Sequence, residues 1–143
     1  VAPEVQSIAC VSPAETAADK FSALVWRILN DAANPGRRDR NLVRHLHDLA
    51  ELSDLVHDQA SFRELAVELL DADAGRIQNA PEWIERSSKE RLVQALEVLE
   101  LDGDYRDDYE KFVLALSYAR DEERTGYDEA LAALRSLADA IFR

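Results

Sequence analysis

Ser12-Pro13-Ala14-Glu15-Thr16-Ala17-Ala18-Asp19-Lys20-Phe21-Ser22-Ala23-Leu24-Val25-Trp26-Arg27-Ile28 is the stretch from which the fold class can be read. The Ser12 hydroxyl can cap a helix, Pro13 suits the first helical position because its missing N–H has no partner to lose there, and Glu15 can reach back to close a capping box. Phe21, Leu24, Val25 and Ile28 then return at the spacing of one helix face, and Asn34-Pro35-Gly36 breaks the segment. A helix is predicted over about 13–32.

The same signals continue along the chain. Behind a basic loop, Arg37 to Arg40, a second helix is expected near 41–55, with Asn41 as its cap and Leu42, Leu46, Leu49 and Leu52 or Ser53 along one side. Ser61-Phe62-Arg63-Glu64 repeats the capping-box pattern and starts a third helix, which carries Leu65, Leu69 and Leu70 and stops at Gly75. Residues 76–86 read as a connector whose Trp83 and Ile84 tuck onto the core. Ser87 caps a fourth helix that carries Leu92, Leu96 and Leu99 to Asp102-Gly103; a fifth follows from about Tyr105 to Ala119 and a sixth from Gly126 to the end. Four glycines and four prolines in 143 residues are too few for the turns of a many-stranded sheet. The expected fold is all-α, one bundle of about six helices.

With 47% apolar residues the chain can bury a continuous core. No apolar run approaches the roughly 20 residues that span a bilayer, and no signal-peptide layout opens the sequence, so a soluble, cytoplasmic protein without a membrane partner is expected. A single cysteine, Cys10, cannot form an internal disulfide and reads as a buried, inert thiol. The sequence has no methionine, which leads to the expectation that the chain is part of a longer polypeptide. Residues 1–11 would be an extended segment belonging to an upstream domain, and residues 12–143 the helical region.

A net charge of −12 argues against a polyanionic partner for the molecule as a whole. Its distribution is uneven. Residues 51–143 hold 11 basic and 23 acidic side chains, while residues 1–50 hold six of each and concentrate Arg37, Arg38, Arg40 and Arg44.

That neutral first third also carries the candidate chemistry. Lys20 and Arg27 are seven residues apart, so at about 100° per residue they return to within some 20° and share one helix face. The bland alternative is a solvated basic edge. Arg44 and Asp48, at i and i+4, can form an intrahelical ion pair. His45, His47 and Asp48 do not read as a metal site, because residues two apart on a helix diverge by about 200°. His57 reads as a solvated loop histidine. The four glycines stand singly at helix ends, which excludes a Gly-rich phosphate loop. The acidic groups at Asp102-Gly103-Asp104, Asp107-Asp108 and Asp121-Glu122-Glu123 lack EF-hand spacing and read as solvated helix ends.

Taken together, Ser12 to Leu24, Arg27, and Arg44-His45-Leu46-His47-Asp48-Leu49 resemble the AbiEii/AbiGii-type nucleotidyltransferases, toxins of bacterial toxin–antitoxin and phage-defence systems. That family shows a Pro-x-Glu-Thr-like helix start, a Lys, an Arg seven residues on, and a later Arg-Asp-x-x-Asp-Leu helix; the first Asp of that helix is His45 here. The resemblance covers essentially the whole chain. It implies an upstream polymerase-β-like domain with a glycine loop and an Asp-x-Asp pair holding an NTP and Mg²⁺, neither of which lies in these 143 residues. By the same resemblance Lys20 would contact the triphosphate, Asp48 would be the active-site carboxylate, and Arg27 and Arg44 would bind substrate. The implied partners of the intact protein are an NTP, tRNA as acceptor and a cognate antitoxin. The isolated segment is expected to be inactive and to bind no cofactor.

Two other readings compete with that one. The acidic surface after residue 50 suits a helical interaction module, for antitoxin binding or dimerisation, with no catalytic role. A purely structural bundle instead predicts that Lys20 and Asp48 lie far apart, each pointing to solvent.

Overall fold

The computed structural model describes residues 12–36, 39–120 and 125–142, with the side chains of 117–120 left aside. Seven α-helices follow one another among these residues: α1 (Pro13–Ala33), α2 (Leu42–Val56), α3 (Ala60–Asp73), α4 (Pro81–Glu85), α5 (Ser88–Leu101), α6 (Gly103–Arg120) and α7 (Tyr127–Ile141). A short 3₁₀ turn, Ala74–Arg76, extends α3. No strand occurs among the described residues. The expected extended segment 1–11, Cys10, Arg37, Arg38 and Asp121-Glu122-Glu123 fall outside them.

α1 is the axis of the bundle. Ala14, Ala17, Ala18, Phe21, Leu24, Val25, Ile28 and Leu29 are all buried on it, a stripe wide enough to be covered from several sides by α2, α3 and α5. Phe21 meets Phe62 of α3 edge-on, with ring centroids 6.2 Å apart. α7 covers α2 and α3 with Leu131, Leu134 and Leu137, and α6 lies against α2 and α5. One core therefore joins the helices, and the α1–α2 pair that carries the candidate residues is anchored within it.

Helix starts follow the chemistry of their first residues in two cases and depart from it in two. Ser12 Oγ accepts from the Glu15 N–H at 3.1 Å, and Ser87 Oγ accepts from the Glu90 N–H at 3.2 Å. α3, however, begins at Ala60 after Gln59, with no side-chain cap, so Ser61 sits inside the helix. The local sequence offered a cap, but the chain turns into the helix one residue earlier, where the Gln59 carbonyl already accepts from the Arg63 N–H. Asn41 likewise makes no side-chain cap bond. Asp39 acts in its place, its carboxylate accepting from the Asn41 N–H at 2.9 Å.

The connector also departs from expectation. Pro81–Glu85 forms the one-turn α4; Trp83 packs partly on the core, whereas Ile84 is exposed. Arg91, buried on α5, holds the region together: its guanidinium donates to the carbonyls of Trp83, Arg86 and Leu70 and to the Asp71 carboxylate. Those are carbonyls that helix ends leave without intrahelical donors. At the other end of α1, Asn34 donates to the Asn30 and Gln78 carbonyls and accepts from Asn79. Asn79 takes the left-handed conformation (φ 61°), which Asn tolerates better than most residues.

Candidate functional site

α1 and α2 meet along the stretch that the sequence marked as unusual. Lys20 and Arg27 of α1 line a cavity of about 420 Å³ together with Asn41, Arg44, His45, His47, Asp48 and Glu51 from α2 and its approach. Phe112 and Leu116 of α6 complete the lining. The seven-residue spacing puts Lys20 and Arg27 on one face, as helical geometry requires, and the packing of α2 and α6 decides that this face looks into a cleft.

Lys20 Nζ donates to Asp48 Oδ2 at 2.8 Å, joining α1 to α2 across 28 residues of sequence. Both side chains keep partial solvent access. The intrahelical Arg44–Asp48 pair expected from the sequence is therefore not what the carboxylate makes. An ammonium from the neighbouring helix reaches it instead, and Arg44 lies with its guanidinium 5.5 Å from the centre of the Phe112 ring. Arg27 Nη1 donates to Asp39 Oδ2 at 3.1 Å. Asp39 was given no role by sequence reasoning. It is fixed by its own N–H donating to the Asp31 carboxylate at 3.1 Å, a contact formed only once the loop folds back on α1.

The two histidines of α2 differ sharply in environment. His45 is half-buried, and its pKa is lowered, first by burial, then by the cations of Lys20 and Arg27, with Asp48 and Asp39 partly opposing the shift. The neutral imidazole is thus favoured. Its Nδ1 is buried without a hydrogen-bond partner among the described residues. His47 is more than nine-tenths buried, its ring edge-on to Phe112 at 5.4 Å and tilted against Tyr109 at 6.2 Å. Its Nδ1 also lacks a partner. Asp48 Oδ1 lies 3.8 Å from that nitrogen, and Glu51 Oε1 lies 3.6 Å from Nε2, both beyond hydrogen-bonding length.

Chemically, the cleft offers three cations from three points of its lining, two carboxylates, of which Asp48 is already matched by an ammonium, and an aromatic face. His57, by contrast, pairs with Asp58 at 3.1 Å at the end of α2 and takes no part in the cleft. The sequence supplied Lys20, Arg27, Arg44 and Asp48 but not Phe112, Leu116 or Glu51. The first two come from a helix more than 60 residues away, and only Glu51, at i+3 from Asp48 and i+4 from His47, carried a local signal in its spacing. No helix among the described residues is long and apolar enough to cross a membrane.

A family model described as the nucleotidyl transferase AbiEii toxin of type IV toxin–antitoxin systems matches residues 2–134. No curated protein and no solved structure matches the chain.

Proposed function

The chain belongs to the nucleotidyl transferase AbiEii toxin family of type IV toxin–antitoxin systems, and from that membership we propose that its α1–α2–α6 cleft holds the triphosphate of an NTP during nucleotidyl transfer to an acceptor such as tRNA. One observation carries this reading: Lys20, Arg27 and Arg44 line the same cleft as Asp48. Phosphoryl and nucleotidyl transfer depend on positioning and on cations aimed at charge that develops on phosphate oxygens. Three basic side chains around one cavity suit a polyphosphate far better than a neutral ligand.

In this proposal Lys20 donates to phosphate oxygens and stabilises the charge that grows on the departing pyrophosphate. Arg27 and Arg44 fix the remaining phosphates or the acceptor backbone through their planar, multi-donor forks. As the ammonium turns to phosphate, Asp48 is left able to accept a hydrogen bond from the attacking hydroxyl and to take its proton. The hydroxyl oxygen bonds to the α-phosphorus while the bond to the β-phosphate oxygen breaks.

The Mg²⁺ that such a family suggests does not fit the described cleft well. The donor set there includes an imidazole nitrogen beside its carboxylates, whereas Mg²⁺ takes oxygens. Mg²⁺ binding is therefore assigned to residues of an upstream domain rather than to this cleft. The family also implies an antitoxin partner.

The test uses the intact protein with labelled NTP and tRNA, comparing wild type with Lys20→Ala and Asp48→Ala. Loss of label transfer in both is expected. Full transfer by both variants would rule out the assigned roles.

A further inference from the structure

We propose that His47, Asp48 and Glu51 form a binding site for a divalent transition metal of the Zn²⁺ class, on the wall of the cleft and separate from any magnesium that nucleotidyl transfer uses. The three residues sit at i, i+1 and i+4 of α2: Glu51 lies one turn on from His47, about 40° round the helix, and Asp48, about 100° round, reaches toward the same point with its side chain. One ring nitrogen and one oxygen from each carboxylate lie within 4.8 Å of one another.

The second observation is independent of that grouping. The His47 side chain is only 7% exposed and its Nδ1 has no hydrogen-bond partner among the described residues. A buried polar nitrogen left without a partner loses its hydration with nothing in return. Asp48 Oδ1 is 3.8 Å away, too far to accept a hydrogen bond. Two ligands about 2.1 Å from a tetrahedral ion lie about 3.4 Å apart, so the Nδ1–Asp48 gap closes round an ion with a shift of a few tenths of an ångström, while Glu51, whose Oε1 lies 3.6 Å from the other ring nitrogen, joins by turning its half-exposed side chain. Lys20 does not obstruct this, because it occupies the other oxygen, Oδ2. It would act as the outer partner that orients a ligating carboxylate.

Imidazole is a borderline donor that suits Zn²⁺ and its neighbours, whereas magnesium prefers an all-oxygen shell. Glu51 is half-exposed and, like His47 and Asp48, lines the cavity, so a fourth coordination position remains for water or a phosphate oxygen. The inference stands on residues of this chain and does not require the nucleotidyl-transfer reading.

Calorimetric titration of the protein with ZnCl₂, without nucleotide and in a non-chelating buffer, tests it. One ion per chain is expected, retained in a large excess of Mg²⁺. Glu51→Gln, at a half-exposed position, should weaken binding about tenfold or more. His47→Phe keeps the aromatic packing against Phe112 and should abolish binding, together with the visible absorption bands of a Co²⁺-substituted sample. Thermal melts show whether each variant folds, and Glu51→Gln decides the matter if His47→Phe does not. Absence of stoichiometric Zn²⁺ binding, or equal affinity in wild type and Glu51→Gln, would overturn the proposal. Neither outcome bears on transfer activity, which is measured separately through Lys20.

Discussion

Replacing Lys20 by Ala should cost little stability and most of the activity, and the size of that difference can be worked out. The ammonium sits 2.8 Å from Asp48 Oδ2, but the two side chains are 25% and 39% exposed, so solvent screens the pair and its net contribution is about 1 kcal/mol. With an unfolding entropy of roughly 2.1 cal/mol/K per residue, a chain of 143 residues should lose about 3 °C in Tm. If Lys20 instead faces developing charge on a phosphate in the transition state, removing it should lower turnover by about 10²–10³-fold. Initial rates of the intact protein, measured at least about 15 °C below its melting midpoint, separate the two effects, since a loss of about 3 °C leaves the folded population there almost unchanged. A double-variant cycle completes the test: Lys20→Ala and Asp48→Ala share one contact, so the double variant should melt higher than the sum of the single losses predicts. Additive melting losses would mean that the pair is not formed in solution. A rate that falls only in proportion to the unfolded fraction would refute the catalytic assignment of Lys20.

Other consequences are simpler to check. His45 has a folded-state pKa below its unfolded value, so below about pH 6.5 the unfolded chain binds more protons there and stability should fall with falling pH; His45→Gln should flatten that dependence in melts between pH 7.5 and 5.5, and an unchanged slope would contradict it. Arg91→Met should cost on the order of 3 kcal/mol, because three carbonyls lose their donor beside a buried side chain; a denaturant midpoint within error of wild type would contradict the clasp. Ser12→Ala and Ser87→Ala should each cost about 1 kcal/mol, while Ser61→Ala should stay within about 0.5 kcal/mol. Equal losses at all three would mean that Ser61 caps α3 after all.

Much of the bundle was legible because helices announce themselves locally. Ser12 and Ser87 are followed by Glu at the third position and by apolar residues at 3.6-residue spacing, and both helices start where that pattern says. Ser61 carries an equally good local pattern, yet α3 starts one residue earlier; a cap motif states what a side chain can do, and the approach of the chain decides whether it does so. Trp83 and Ile84 were both expected on the core, but the one-turn α4 can present only one of them inward. The roles of Arg91 and Asn34 had no sequence signal, because most of their acceptors are backbone carbonyls, which any residue supplies.

For the cleft the division falls between faces and neighbours. The sequence by itself determined that the described chain is helical, that Lys20 and Arg27 share a face, and that Glu51 follows His47 on one side of α2, since a helix fixes those directions at about 100° per residue. Only the tertiary structure decided that Lys20 reaches Asp48, that Arg27 turns to Asp39, and that Phe112 and Leu116 line the same cavity. Those choices depend on how α2 packs beside α1 and α6 against α2, and that packing is set by the summed burial of apolar residues spread over the chain, which no short stretch of sequence encodes.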